Sequence, residues 1–394
     1  MRKIYLDHSA TTPLDPAVLA AMLPYLSGVH GNPSSVHAFG REARHALEEA
    51  RQSIASSIGA APEEIVFTSG GTESDNTALW GSIQANRHGG RDHLVTSAIE
   101  HHAVLEQAHA LSKEGIPVDR VPVDGTGRVD PAQIQKSIRS STALVSIMHA
   151  NNEIGTIEPI AEIGAIARDR GIVFHTDAVQ TVGHIPINVD DLRVDFLSSS
   201  AHKFYGPKGV GFLYARKGVK FTPLMDGGDQ EKRRRAGTHN TPGIVGMAAA
   251  AEIAHQELKE EAARESALRD RLIESIAGSI EDTRLNGPKT NRLPNNSNVS
   301  IEYVEGESLL LSLDMEGIAA STGSACTSST LEASHVLLAI GLPHETAHGS
   351  LRFSIGRWTT ADEIGRLLEV LPGIVERLRA MSPLYSGRRK NGTV

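Results

Sequence analysis

Two stretches decide the fold: Ile172-Val-Phe-His-Thr-Asp177 and, further on, Phe196-Leu-Ser-Ser-Ser-Ala-His-Lys203. Each opens on an apolar, β-branched or aromatic run and closes on polar residues. Such runs read as buried strands. Working outward, further strand candidates are Ile65–Ser69, Leu94–Ser97, Ala143–Met148 and Val210–Tyr214. Between them lie helical patterns at Thr72–Ala85, Ala103–Lys113 and Ile160–Arg170. Continuous apolar strands alternating with helices predict a mainly parallel α/β sheet covered on both faces. From about Gly246 the pattern changes. A long charged helix, roughly Gly246–Ala277, precedes an α+β tail with strands near Asn298–Ile301 and Ser350–Ile355. This predicts a second, smaller domain.

Open α/β sheets bind ligands at the carboxyl ends of their strands. The polar residues of this chain fall there: Ser69-Gly70-Gly71-Thr72, Glu100-His101, His149 to Glu153, Asp177 with Gln180, and Ser200-Ala201-His202-Lys203. One binding crevice accounts for all five.

Lys203 reads either as a surface lysine or as a desolvated amine suited to Schiff-base chemistry. Asp177, 26 residues earlier, reads either as a helix cap or as a carboxylate that needs a cationic partner. Placed on neighbouring strands, the two could bridge one flat ring, that of pyridoxal 5'-phosphate. A carboxylate at the pyridinium nitrogen keeps such a ring an electron sink. Ser69-Gly-Gly-Thr72 opens a helix, and helix N-termini bind phosphate through unpaired N–H groups. Alone it could equally be a plain strand–helix turn. Ser200 and His202 could add donors. His101 suits ring stacking and proton handling near neutrality, although the adjacent His102 competes for that reading.

The remaining composition narrows the field. The chain has 394 residues, 40% hydrophobic and 22% charged, with a formal net charge of -8. That is not the basic footprint of a nucleic-acid binder. No run reaches the ~18 apolar residues of a membrane span, and no apolar region follows the first residues as in a secretory signal. A single cysteine, Cys326, makes neither an intramolecular disulfide nor a thiolate zinc cluster, and the expected compartment is a reducing cytoplasm. His344-Glu-Thr-Ala-His348 matches the HExxH zinc pattern. Composition alone yields that pattern in roughly one chain in twenty of this length. Pro343 and Gly349 bracket it and leave under two helical turns, so no metal site is expected.

The stretches YLDHSATTP, GNPSSVH, TSGGTESDN, EHHAVL, NNEIGT, HTDAVQ, SSSAHKFYGPKG, GTHNTP, TGSACTSS and HGSLRFSIGR run in order from about Tyr5 to Arg357. Together they resemble the cysteine desulfurases of the NifS/IscS type, in the class-V aminotransferase family. The resemblance implies the fold type I architecture of pyridoxal-phosphate enzymes. That means a large domain at 15–258 with a mainly parallel seven-stranded sheet, a smaller α+β domain from 1–14 and 259–394, and a homodimer. It implies that Lys203 holds the cofactor, Asp177 its ring nitrogen, and Gln180 its phenolic oxygen. Thr72, Ser200 and His202 would bind the phosphate, with Thr238 reaching the phosphate of the other subunit. His101 would stack on the ring, and Asn152 and Arg352 would hold the substrate carboxylate.

Cys326 lies in a run of small polar residues that reads as an exposed loop. A thiolate there could take sulfur from cofactor-bound L-cysteine, giving alanine and a persulfide. The resemblance extends this to delivery to an acceptor such as an iron–sulfur scaffold, and Cys326 could ligate a transferred cluster. Related chemistries stay open: selenocysteine lyase, aminotransferase, tRNA thiolation, DNA phosphorothioation. An inactive interaction subunit is set against intact Lys203, Asp177, His101 and Cys326. The short basic tail Arg388–Lys390 leaves the identity of the partner open.

Overall fold

The computed structural model describes residues 3–322, 333–383 and 385. Cys326 and the basic tail at 388–390 lie outside the described residues.

A short strand β1 (Ile4–Tyr5) precedes the main sheet. That sheet has seven strands: β2 (Ile65–Thr68), β3 (His93–Ser97), β4 (Val118–Val121), β5 (Thr142–Ser146), β6 (Val173–Asp177), β7 (Phe196–Ser200) and β8 (Gly211–Ala215). Their spatial order is β2-β8-β7-β6-β5-β3-β4. All neighbours are parallel except β8, which runs antiparallel to both β2 and β7. The strands β3, β5 and β7 are buried at every position, as a sheet covered on both faces requires. The expected mainly parallel α/β sheet is therefore present. Sequence periodicity named six of the seven strands. It missed β4, whose Asp119 is half-buried and whose Arg120 is exposed at the sheet edge. Polar edge strands lack the apolar signature.

The helix Ala38–Ser57 shows how one face is packed. Ala43, Ala46, Leu47, Ala50 and Ile54 recur at helical spacing and are buried. The helix Thr241–Ser279 serves two cores. Its first half gives Ile244, Met247, Ala251 and Ala254 to the core under the main sheet, and its last turns give Leu272 and Ile276 to a second core. The expected division at 258/259 falls within this helix.

The second core is built on β9 (Thr283–Leu285), β10 (Asn296–Ile301), β11 (Ile318–Ala319) and β12 (Ser350–Ser354). β10 lies antiparallel between β9 and β12, and β11 pairs in parallel with β1. Ile4 and Leu6 pack into this core. The next residues cross to the main sheet. Ser9 N–H donates to Ser354 Oγ at 2.8 Å, and Thr12 N–H donates to the His202 carbonyl at 2.9 Å. The N-terminal segment thus sews the strand carrying Arg352 to the turn carrying Lys203. Among the described residues no helix is long and apolar enough to cross a membrane.

Candidate active site

β6 delivers Asp177 at its last position, paired in register with Ser198 of β7. β7 ends at Ser200, and the single turn Ala201–Lys203 follows at once. Lys203 Nζ donates to the Ser9 carbonyl at 2.6 Å and to that of Ala10 at 2.8 Å. Its own carbonyl is held by His184 Nε2 at 2.9 Å. The lysine is a fixed amine in a half-buried turn, not a solvated surface lysine.

Asp177 is buried, and its Oδ1 accepts from Val179 N–H at 2.9 Å. That bond closes a turn and caps no helix, because the next helix begins only at Val189. Burial, with the nearby Asp75 carboxylate adding to it, pushes the Asp177 pKa up to about 7, against the pull of Lys203. His101 also plays two parts. It caps the helix His102–Lys113 by accepting from Ala103 N–H through Nδ1 at 3.1 Å. The neutral ring must then carry its proton on Nε2. Burial first, and the Lys203 charge second, lower its pKa to about 4. His202 is likewise lowered to about 4 by burial and by Lys203, and its Nδ1 lies 3.1 Å from Thr11 Oγ1. At neutral pH the site thus holds neutral imidazoles, a cation and a carboxylate poised between two states.

Behind Asp177 lies a buried pair that periodicity could not find. His175 Nδ1 meets Ser146 Oγ at 2.8 Å, and its Nε2 meets Ser198 Oγ at 2.9 Å and Asp75 Oδ1 at 3.5 Å. Asp75 sits on the helix Gly71–Asn86, which is buried on several sides. Such a helix shows no polar face to mark an inward carboxylate.

Gln180 is buried beside the same segment, its Nε2 donating to the Ser9 carbonyl at 3.0 Å. Arg352, only 2% exposed, donates through Nη2 to Asp7 Oδ1 at 2.8 Å and through Nη1 to the Asn152 carbonyl at 3.2 Å. Its Nε has no hydrogen-bond partner among the described residues. So the structure brings Asn152 and Arg352 together, and adds Asp7, which the sequence reading had not singled out. Ser9 and Ala10 were also missed, because they act through carbonyls and any residue supplies a carbonyl. Thr72 is exposed at the first turn of the helix Gly71–Asn86, and Ser200 is buried. Thr238 is exposed on the segment that Arg235 ties to Glu73, with Nε to Oε1 at 2.8 Å.

The residues fit pyridoxal phosphate. The helix N-terminus at Gly70–Gly71 has no side-chain cap, which leaves its N–H groups for a phosphate. A Cβ on Gly71 would stand 2.6 Å from Val179 Cγ2, so only glycine lets the turn close here. The fixed amine, the buried carboxylate and the neutral histidine are the three groups the ring requires.

The sequence pattern of the class-V aminotransferases matches residues 4–367. A protein called cysteine desulfurase IscS from Dictyoglomus turgidum is 58% identical over 97% of each chain. One of the same name from Methanosarcina thermophila is 55% identical over 97% of this chain and 94% of its own. The chain belongs to the cysteine desulfurase branch of the class-V aminotransferases. Among solved structures, a NifS-like protein superposes with a TM-score of 0.90 at 40% identity, covering 96% of this chain and all of that one. SspA in complex with cysteine superposes with a TM-score of 0.81 at 36% identity, over 91% of this chain and all of that one. The class-V family uses pyridoxal phosphate, in keeping with the amine and carboxylate found here.

Proposed function

We infer that the chain is a pyridoxal-phosphate-dependent cysteine desulfurase that moves the sulfur of L-cysteine onto Cys326. The observation that carries this reading is Lys203, fixed by two carbonyls, beside the buried carboxylate of Asp177 at the adjoining strand ends. When bound, the cofactor supplies an electron sink next to the substrate carbon. Lys203 holds it covalently. Asp177 keeps its ring nitrogen protonated, Gln180 donates to its phenolic oxygen, and Thr72, Ser200 and His202 bind its phosphate. His101 stacks on the ring and moves protons through Nε2. Arg352 and Asn152 orient the substrate carboxylate. The Cys326 thiolate attacks the substrate sulfur: a sulfur–sulfur bond forms, the carbon–sulfur bond breaks, and L-alanine leaves. Atoms balance, since cysteine and a thiol become alanine and a persulfide.

The persulfide then passes to an acceptor protein of the iron–sulfur scaffold kind, in the cytoplasm, where a lone thiol stays reduced. The enzyme works as a homodimer with Thr238 completing the neighbour's phosphate site. Leu19, Leu23 and Leu26 support this: they form one stripe on the helix Pro16–Ser27 and are 44%, 54% and 59% exposed. Surfaces of that kind are usually covered.

The test is Cys326→Ser. The variant should keep the cofactor and its yellow colour, yet release neither sulfide nor persulfide from L-cysteine. Undiminished alanine production by that variant sinks the reading.

A further inference from the structure

The segment that carries Thr238 is held in an unusual way. Glu231, Lys232 and Arg233 have φ values of 48°, 57° and 66°. Three consecutive side-chain-bearing residues in the left-handed region are rare, and surrounding contacts must enforce them. The enforcing group is the Glu231 carboxylate, whose side chain is 1% exposed. Oε1 accepts from Arg51 Nη2 at 2.7 Å and lies 2.7 Å from His239 Nε2. Oε2 accepts from Arg51 Nη1 at 2.8 Å and from Phe67 N–H at 3.1 Å. Next to it, Gln230 Oε1 accepts from Gly237 N–H at 3.1 Å, and Gly237 has a φ of 103° that favours glycine.

Thr238 therefore stands between two stapled neighbours, Gly237 held by Gln230 and His239 held by Glu231. Thr238 itself is exposed, and its hydroxyl has no hydrogen-bond partner among the described residues. The carboxylate also roots the segment in β2, through Phe67, and β2 leads into the phosphate-binding turn of the same subunit. Rigid backbone behind a single free hydroxyl is how a fold presents a donor outward.

We propose that Glu231 and His239 form a clamp that positions Thr238 for the phosphate of the neighbouring subunit's cofactor. The proposal rests on the reading that Thr238 acts across the dimer. Neither clamp residue touches the cofactor; they are positioning residues. His239 Nε2 faces a carboxylate oxygen, so that nitrogen carries the proton of the bond.

The experiment follows release of pyridoxal 5'-phosphate from the holoenzyme by the decay of its visible absorbance, with sedimentation to confirm the dimer. The 31P resonance of the bound phosphate is read in parallel. Thr238→Val should speed release about tenfold, the size of one hydrogen bond to a charged group. Glu231→Gln and His239→Ala should each speed it by a similar factor and shift the 31P resonance as Thr238→Val does. His239→Gln, whose amide can still donate to Oε1, should return release to within about threefold of the parent. The double variant Glu231→Gln with Thr238→Val should be no faster than Thr238→Val alone, because both remove one interaction. If Thr238→Val releases fast while Glu231→Gln and His239→Ala keep the parent rate, the clamp is wrong and the role of Thr238 across the dimer stands. Multiplying effects in the double variant also overturn the clamp. An unchanged rate in Thr238→Val removes the underlying reading and the clamp with it. Should Glu231→Gln fail to fold, the two His239 variants decide the matter.

Discussion

Two buried carboxylates in this chain have equal burial and opposite electrostatics. Asp177 is 5% exposed and Glu231 is 6% exposed. Burial opposes the charge of both. At Glu231 the hydrogen bonds of His239 and Arg51 outweigh it, and the pKa falls to about 2. At Asp177 burial and the neighbouring Asp75 prevail, and the pKa rises to about 7. Partners, not depth, decide. Glu231 is saturated by its own chain and serves as architecture. Asp177 is left short of positive charge by its own chain, which is what a site does when a ligand is to supply the cation.

The largest effect that comparison predicts lies at the cation already present. Lys203→Ala should abolish turnover, along with the covalent adduct that borohydride traps. Peptide mapping checks it. An adduct on Lys208 or Lys217 would mean that the amine beside Asp177 is not the one that holds the cofactor.

Asp177→Asn comes next, and it should cut in two directions. Turnover should fall by about a hundredfold or more, because the ring nitrogen loses its counter-charge. The cofactor-free protein should become more stable at pH 8. The sign follows from the raised pKa. Between pH ~4, where an unfolded aspartate ionises, and about 7, the folded chain keeps a proton the unfolded chain has lost. Stability of the cofactor-free protein therefore falls as pH rises through that window, and stays lower above it. Asparagine removes the penalty, so melting of the two cofactor-free proteins should coincide near pH 4 and separate by a few degrees at pH 8. Lower melting of the variant at pH 8 would show that Asp177 is satisfied within the chain, and the contrast with Glu231 would collapse.

Glu231→Gln should show the opposite sign. A lowered carboxylate contributes stability above its unfolded pKa of ~4.3 and loses it as pH falls through about 2. Removing the charge leaves Arg51, itself 8% exposed, with a weakened partner. Breaking such a buried pair costs ~3–5 kcal/mol, and the neutral isostere should stay towards the lower end. Thermal melts at pH 7 and pH 3 measure it: a clear loss at pH 7 that narrows at pH 3.

The same pair shows why one half of the site was legible in the sequence and the other was not. Asp177 ends a recognisable strand and Lys203 closes the turn directly after another, so the strand pattern itself pointed to them. Ser69 to Thr72 and His101 were proposed in the same way. Glu231 ends nothing. Its partners Arg51 and Phe67 are 180 and 164 residues away along the chain, on elements whose packing only the fold reveals. His239, eight residues beyond Glu231, gains its part only through that carboxylate. β4 escaped for want of an apolar run, and Asp75 because its helix is covered on several sides. Thr238 and Arg352 entered through family resemblance, not through any local pattern.

The smallest expected effect concerns Asp7, the residue that shares Arg352. Its Oδ1 takes Nη2 at 2.8 Å, so on the proposed role of Arg352 an incoming substrate carboxylate would meet a guanidinium already part-neutralised. Asp7 is the more exposed partner, with 21% of its side chain accessible against 2% for Arg352. A partly exposed ion pair is worth ~1 kcal/mol or less, which sets the scale at a few-fold. If Asp7 competes with the substrate, Asp7→Asn should lower KM for L-cysteine about two- to fivefold and leave kcat unchanged, since the change concerns binding and not the bond-breaking step. A raised KM would show the reverse relation: Asp7 then aims the guanidinium, and without it the fork turns away from the substrate. The two outcomes differ in sign, so steady-state kinetics at one pH separates them.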